Sequence, residues 1–145
     1  KNDFPILEFD DNKVAKLNPS ALFEKKNPEK KMIITFFPEA LEKLKEENLI
    51  EKAYYIGGEN PFDIYRFVGT DILIVLGQVG CPACAGNLDC FYAMGVEKVM
   101  FCGGGGVLDK NIAVGQLLVV DGAIRDEGFS YHYVEASRYI YTKKK

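Results

Sequence analysis

Short apolar runs bounded by glycine and proline recur along the middle of the chain. Residues 72–76 (ILIVL) and 98–102 (KVMFC) are rich in β-branched and large apolar side chains, which is typical of strands buried on both faces. After Pro82, the segment between them has one apolar helical face, formed by Cys84, Leu88, Phe91 and Tyr92. A strand, a helix and a strand with short links predict a parallel pair joined by a right-handed crossover.

Further apolar runs predict the rest of one sheet. Residues 32–36 (MIITF) and 116–120 (QLLVV) have the composition of buried strands, and residues 53–56 form another short run. Residues 61–68 predict an edge strand, because Pro61 has no N–H group to donate to a ladder. Since helical patterns follow two of these strands, the sequence predicts a three-layer αβα domain with a mostly parallel or mixed central sheet and helices on both faces.

The two ends of the chain have no sustained helical or strand period. Residues 1–31 contain scattered apolar residues, three prolines and a charged end, which predict an N-terminal arm lying over the domain or over a neighbouring subunit. Residues 121–141 combine polar and aromatic side chains, which favours a functional loop over core, and residues 143–145 form a solvated lysine tail. We therefore divide the chain into an arm at residues 1–31 and an α/β portion at residues 32–145.

Glycines follow both central strands of the predicted sheet. Gly77 and Gly80 come after residues 72–76, and four consecutive glycines at 103–106 come after residues 98–102. Ligands of parallel α/β units bind at the carboxyl ends of the strands, so the sequence predicts a site at this edge. The glycine run favours close backbone approach to a ligand over a plain flexible turn. It is no dinucleotide fingerprint, because no helix-forming run follows it.

Composition and charge narrow the class of protein. The 145-residue chain is 48% apolar with a formal net charge of -3, which predicts one soluble domain and no basic face for a nucleic-acid polymer. Its apolar runs are shorter than the roughly 20 residues that span a bilayer. The first residues lack the apolar segment of a signal peptide. We expect a cytoplasmic protein with no membrane partner.

All four cysteines lie in the central segment. Cys81 and Cys84 form a CPAC motif at the predicted helix start, where a helix dipole lowers a thiol pKa, so redox or metal chemistry is one interpretation. Packing as small reduced side chains is the favoured one, because no second CxxC is present. His132 and the adjacent Asp126 and Glu127 fit packed or solvated positions better than catalysis. We assign no metal site and no catalytic residue.

The central segment resembles a known family. The matching features are a Gly-Cys-Pro turn at 80–82, Gly-Val at 95–96, the glycines at 103–106, and Val-Gly at 114–115 ahead of Val-Val at 119–120. On these residues the chain is similar to the first half of the purine and uridine nucleoside phosphorylase superfamily. DEGFSYHY at residues 126–133 is most similar to the uridine phosphorylase branch, and the likeness extends over residues 32–141.

The resemblance implies a reaction and a set of partners. It implies cleavage of the N-glycosidic bond of a uridine or purine nucleoside by phosphorolysis, with phosphate as co-substrate and no other cofactor. Nucleosides or nucleobases would be the ligands, and the protein would be a homo-oligomer. By position in the family pattern, the substrate-binding residues would be Gly80, Gly104, Gly105 and Gly106.

Three positions depart from the family. Its phosphate-binding turn, Gly-Asp-Pro-x-Arg, reads FFPEA here, so Phe36 replaces the glycine and Ala40 the arginine, while Phe101 replaces a second arginine. A phosphate dianion requires fixed donors, usually bidentate arginines. Two alternatives therefore stay open beside phosphorolysis. One is a nucleoside hydrolase, in which water replaces phosphate, and the other is a non-catalytic nucleoside-binding relative.

The length of the chain differs from the family as well. In the family, the Met-Glu pair that holds the ribose and the acid that protonates the purine lie in the second half of the fold. The matched part of this chain corresponds only to the first half. We therefore expect either that the chain is a fragment of a longer protein or that a partner completes the site.

Overall fold

The computed structural model describes the chain in two stretches, residues 1–23 and 28–142. Residues 24–27 of the predicted arm and the predicted tail at 143–145 lie outside the described residues. Within the described part of the chain, no helix is long and apolar enough to cross a membrane.

The chain forms two compact units. The larger consists of residues 17–104, and the smaller combines residues 1–16 with residues 105–145. The predicted arm, residues 1–31, is thus divided between the two units.

The larger unit is built on a five-stranded sheet. Its strands are β1 (Lys31–Thr35), β2 (Ile50–Ile56), β3 (Phe62–Phe67), β4 (Ile72–Leu76) and β5 (Lys98–Cys102). In the order β2-β3-β4-β1-β5, β1 runs parallel to both of its neighbours, whereas β3 runs antiparallel to β2 and β4. Helix α1 (Pro38–Glu46) follows β1, and helix α2 (Cys81–Met94) follows β4. The sheet is therefore mixed.

The sheet has an apolar layer on each face, because successive strand residues point to opposite sides. On one face, Phe91 and Met94 of α2 are at most 2% exposed. The strand residues in the same cluster are Met32, Ile34, Ile64, Leu73 and Val75. On the other face, Leu41 of α1 packs with Ile50 and Ile74. Each such buried side chain stabilises the fold by about 1.5–3 kcal/mol. Because α1 and α2 pack on opposite faces of the sheet, the predicted αβα layering is confirmed.

Glycines set both ends of α2. Gly80 takes a φ of 108° at the N-cap, and Gly95 ends the helix in the left-handed conformation at a φ of 112°. The helix begins at Cys81, next to the predicted start at Pro82, and ends at Met94 ahead of Gly95. The predicted apolar face is only partly right, since Tyr92 is 49% exposed while Met94 is buried. The buried side of the helix advances in steps of three residues from Phe91 to Met94, which leaves Tyr92 turned away.

Two strand placements are wrong. The strands at 72–76 and 98–102 do not pair with each other, because β1 lies between them and is parallel to both. Residues 61–68 do not form an edge strand, since β3 pairs on both sides and β2 takes the edge. Pro61 lies just before β3, so its missing N–H group removes no ladder hydrogen bond.

The predicted strand at residues 116–120 is also wrong. These residues form no strand in the described structure, and Leu117 and Val119 are each 91% exposed. An apolar run becomes a strand only when a neighbouring strand accepts its N–H groups and donates to its C=O groups. Residues 116–120 have the apolar pattern of a strand, but no strand of the described structure pairs with them.

The segment ahead of β1 is fixed to the larger unit. The turn Pro19–Leu22 packs on α2, and Phe23 lies against the main core cluster. Glu29 is only 2% exposed, and its carboxylate accepts hydrogen bonds from the Tyr54 hydroxyl at 2.6 Å and from Arg66 Nη1 at 2.8 Å. These described parts of the predicted arm therefore belong to the fold of this unit.

The smaller unit contains a two-stranded antiparallel sheet of β6 (Gly122–Ile124) and β7 (Tyr139–Tyr141). Two short 3-10 turns, Pro5–Leu7 and Ser130–His132, pack against each other. Arg125 follows β6 and is 4% exposed. The loop between the two strands is organised around this side chain.

Candidate active site at the carboxyl ends of the parallel strands

The carboxyl ends of β1, β4 and β5 lie side by side. Thr35 pairs with Leu76 on one side and with Cys102 on the other, so the three strands end at the same level. The next residues in the chain, Phe36, Gly77 and Gly103, therefore come together at one edge of the sheet. The sequence predicted strand residues up to 36, but β1 ends at Thr35, which leaves Phe36 in the turn.

The ring of Phe36 lies between the two glycine turns. A Cβ atom at Gly77 would lie 2.6 Å from Phe36 Cε1 and 2.8 Å from Cζ, so the ring would have to move to admit it. A Cβ atom at Gly103 would lie 3.2 Å from Phe36 Cδ2. A side chain at Gly77 would therefore displace the ring, whereas one at Gly103 would require a smaller shift of it, and the ring fills the volume between the two glycines.

Phe101 extends the aromatic surface at this edge. Its ring centroid is 6.5 Å from that of Phe36, and the two planes differ by 14°. This separation lies within the range of offset-stacked aromatic pairs, which contribute about 0.5–1.5 kcal/mol beyond their burial. Phe101 remains 48% exposed, so the pair presents an apolar surface.

Backbone donors at the strand ends are used within the protein. The Phe36 N–H donates to the Cys102 carbonyl at 2.8 Å, and the Gly77 N–H donates to the Thr35 carbonyl at 2.8 Å. The Phe37 N–H donates to Thr35 Oγ1 at 3.2 Å, and Thr35 itself is 4% exposed. Three amides that precede α1 or follow β4 are therefore already paired.

A small cavity lies beside Gly77, at the start of α2. Its volume is about 10 Å³, and its lining includes Gln78, Cys84 and Asn87. A volume of about 10–15 Å³ holds one water molecule at most. Burial raises the pKa of the Cys84 thiol, which keeps that side chain neutral here.

The residues predicted to bind substrate occupy two different settings. Gly80 is the N-cap of α2, and Gly104 follows β5 with space for a Cβ atom 3.7 Å from Phe37. Gly105 and Gly106 belong to the smaller unit, and a Cβ atom on either would have no heavy atom within 4 Å. The roles predicted for all four glycines stay predictions.

The cysteines and His132 do not come together in a second candidate site within the described residues. None of the four cysteines, Cys81, Cys84, Cys90 and Cys102, forms a disulfide bond. The described residues contain no group of three or more His, Cys, Asp or Glu side chains placed to hold a metal ion. His132 is exposed, and its ring packs edge-on at 6.0 Å from the ring of Phe129.

The loop at residues 126–133 is held by its own polar groups. Glu127 Oε2 accepts from the N–H groups of Phe129 and Ser130, each at 2.7 Å, and Glu127 Oε1 accepts from the Ser130 hydroxyl. This carboxylate therefore shapes the turn. Glu127 was predicted to be packed or solvated, and its spacing to Ser130 is the signal that could have indicated this turn.

Arg125 is a buried cation that the sequence analysis did not single out. Its guanidinium donates to the carbonyls of Val134 and Glu135 at 2.9 and 2.6 Å and to two serine hydroxyls at 2.8 and 2.9 Å. It also lies 4.4 Å above the Tyr131 ring, whose hydroxyl donates back to the Arg125 carbonyl. Because its guanidinium donates hydrogen bonds to several residues of the loop, Arg125 orders the loop of the smaller unit.

Comparison with known proteins agrees with the resemblance. Residues 30–144 match the phosphorylase superfamily. A guanosine phosphorylase from Halorubrum lacusprofundi is 37% identical over 65 residues, which is 45% of this chain and 27% of that relative. No solved structure matches the chain. Since the family match covers most of the chain, this protein belongs to the phosphorylase superfamily.

Proposed function

We propose that the protein cleaves the N-glycosidic bond of a nucleoside and releases the base. The observation that carries the proposal is the family match over residues 30–144, which includes all three strand ends of the candidate site. The meeting of Phe36, Gly77 and Gly103 at one sheet edge supports it, because ligands of such folds bind there.

The nucleoside class has support from two directions. The relative from Halorubrum lacusprofundi is a guanosine phosphorylase, which favours a purine nucleoside. The DEGFSYHY segment favours uridine by resemblance. Guanosine, inosine and uridine are therefore the substrates to compare first.

The backbone near Gly80 and Gly104 would contact the nucleoside, with Gly105 and Gly106 continuing the same glycine run. Glycine allows a ligand to approach the main chain, whose N–H groups then orient ribose or base. Bond cleavage builds positive charge on the anomeric carbon and electron density on the departing base. In the phosphorolysis implied by the resemblance, a phosphate oxygen bonds to that carbon as the C–N bond breaks, giving a pentose 1-phosphate and the free base.

The test is to incubate the full-length protein with each nucleoside in phosphate buffer and to measure the released base by chromatography. Gly104→Ala should lower the rate about tenfold or more, because a methyl group displaces a substrate held against the backbone. The fold should tolerate it, since the new Cβ atom sits at an ordinary contact distance of 3.7 Å.

The matched control is Gly86→Ala in α2, where a Cβ atom meets nothing within 4 Å. We expect it to keep the wild-type rate. Release from none of the three nucleosides would refute glycosidic cleavage, and an unchanged Gly104→Ala rate would refute only the role of Gly104.

A second candidate is a nucleoside-binding relative that no longer turns over. The observation that favours it is the aromatic filling of the strand ends by Phe36 and Phe101. It requires saturable binding of a nucleoside, measured by calorimetry, with no base released during long incubation. Homo-oligomerisation, implied by the resemblance, is tested on the same sample by light scattering.

A further inference from the structure

We propose that residues 2–8 form a strap whose docking controls the opening of the loop at residues 128–133. Both segments lie in the smaller unit, and the inference concerns that unit alone. It goes beyond the proposed glycosidic cleavage and does not rest on it. The strap is a conformational device, because a contact made near the start of the chain sets the order of a loop that is distant in sequence.

The strap is a closed turn with hydrogen bonds of its own. The Asn2 N–H donates to Glu8 Oε1 at 2.8 Å, and the Asn2 side-chain amide donates to the Leu7 carbonyl at 3.2 Å. The Leu7 N–H donates to the Phe4 carbonyl and the Glu8 N–H to the Pro5 carbonyl, each at 3.0 Å. None of these four hydrogen bonds involves the loop, so the strap keeps them when it leaves the loop.

The strap meets the loop through one apolar side chain. The 3-10 turn of the strap packs against the 3-10 turn of the loop. Among residues 1–8, Ile6 is half-buried and the others are exposed. The Ile6 Cδ1 atom lies 3.7 Å from the position that a Cβ atom would take on Gly128, whereas Leu7 is 45% exposed. Ile6 is therefore the side chain through which the strap docks.

The loop has little support from secondary structure. It connects β6 and β7, which have three residues each, and a two-stranded sheet is only marginally stable by itself. Arg125 binds the loop from Ser130 onward, while Gly128 turns the chain in the left-handed conformation at a φ of 77° beside Ile6. Local opening of such a loop costs little free energy. Removing one apolar contact is thus enough to change how often the turn at Gly128 opens.

Docking couples an accessible segment to the loop. Because residues 1–8 are exposed apart from Ile6, a protease can reach them in the folded unit. Removal of the strap takes Ile6 away from Gly128, and the turn at Gly128 then loses its apolar cover. The hydrogen bonds of Arg125 do not involve the strap, so the later part of the loop stays anchored.

The experiment is hydrogen exchange of the full chain, followed by mass spectrometry, in wild type and in two single variants. Ile6→Ser removes the apolar contact, and Leu7→Ser is the matched control, because it changes an exposed leucine in the same turn. We expect the amides at residues 128–133 to exchange about fivefold faster or more in Ile6→Ser and at the wild-type rate in Leu7→Ser. Amides of β4, in the larger unit, should be unchanged in both variants.

Unchanged exchange of the loop in Ile6→Ser, or equal acceleration in both variants, would overturn the role of the strap. A chain without residues 1–8 should show the same acceleration as Ile6→Ser, and a wild-type rate in that chain would equally overturn it. Should Ile6→Ser open β6 and β7 as well, Ile6→Val, which removes only one methylene group, is held to the same comparison. Base release is not part of this readout, so a failure of glycosidic cleavage leaves the result unaffected.

Discussion

The ring of Phe36 and the backbone of Gly77 are packed so closely that the position of one fixes the identity of the other. A Cβ atom at Gly77 would lie 2.6 Å from Phe36 Cε1 and 2.9 Å from Ile34 Cγ2. We therefore expect Gly77→Ala to lower the free energy of unfolding by about 1–3 kcal/mol, the usual cost of overpacking. Urea denaturation of the purified protein measures this change.

The double variant Gly77→Ala with Phe36→Ala checks the cause. Removing the ring should recover part of the loss, because the new methyl group then faces free space on that side. Gly86→Ala serves as the matched control and should be neutral or stabilising by up to about 1 kcal/mol, since it lies in a helix with open space around it. Equal stability of Gly77→Ala and wild type would contradict the packing described above.

The buried carboxylate of Glu29 makes stability depend on acid. Burial acts to raise its pKa, but hydrogen bonds from Tyr54 and Arg66 and from the backbone outweigh that effect and hold the pKa below its usual value of 4.5. A lowered folded-state pKa adds stability above the unfolded value, and that stability disappears as the pH falls through the folded value. We expect the free energy of unfolding to drop below pH 4.5.

The variant Glu29→Gln isolates this contribution. At neutral pH it should cost about 1–3 kcal/mol, because a charge-assisted hydrogen bond to Arg66 is lost, and its acid dependence should flatten. Glu97→Gln is the control, since Glu97 forms an exposed pair with Lys30. Urea unfolding curves measured between neutral and acidic pH decide the matter. If Glu29→Gln loses stability in acid as steeply as wild type, the carboxylate is not the source.

Tyr54 makes the free energy of unfolding decrease at high pH, whereas Glu29 makes it decrease at low pH. Burial, together with its hydrogen bond to Glu29, raises its pKa to about 12. A raised folded-state pKa adds stability below the unfolded value of 10.0, which is lost as the pH passes through about 12. The absorbance of ionised tyrosine, compared between wild type and Tyr54→Phe in an alkaline titration, should therefore assign a late-titrating group to Tyr54. An unchanged titration would remove this assignment.

Much of the fold could be predicted from patterns within short stretches of the sequence. The apolar run at 72–76 and the helical pattern after Pro82 were enough to predict β4 and α2, because burial and helix initiation act within a few residues. The strand order was not predictable in the same way. A crossover can skip a position, and only the pairing of Thr35 with both Leu76 and Cys102 reveals that β1 lies between the other two strands.

The candidate site, too, could be predicted from the sequence only in part. Parallel strand ends and their glycines predicted the edge where Phe36, Gly77 and Gly103 meet. The contact between Phe36 and Gly77 joins residues far apart in sequence, so periodicity could not give its distance. Burial of Arg125 was also not predictable, because its partners are mostly backbone carbonyls and serine hydroxyls.

Arg125→Lys should loosen the loop of the smaller unit. Lysine has one terminal ammonium group and cannot reproduce the fork that reaches Val134, Glu135 and two serines. We expect faster hydrogen exchange of the amides at residues 126–137, measured by mass spectrometry. Arg138→Lys is the control, since Arg138 is exposed. Unchanged exchange in Arg125→Lys would mean that other contacts order the loop.

Alkylation of Cys84, with Cys90 outside the motif as a comparison, tests whether Cys84 of the CPAC motif is a reactive thiolate. Burial raises the pKa of both thiols above the usual value of 9.0, and the charge of Asp89 adds to the effect at Cys90. Because only the thiolate attacks, both should react with iodoacetamide more slowly in the folded protein than in guanidinium chloride at the same neutral pH, as followed by peptide mass spectrometry.

The Cys84→Ser variant identifies the peptide that carries the signal and leaves Cys90 as the internal comparison. A thiol activated for redox chemistry would do the reverse and react faster in the folded protein, since its pKa would lie below that of a free thiol. Faster labelling of Cys84 in the folded state would therefore restore the redox interpretation of the motif. Slow labelling that rises only above pH 9.0 supports its role as a packed, neutral side chain at the start of α2.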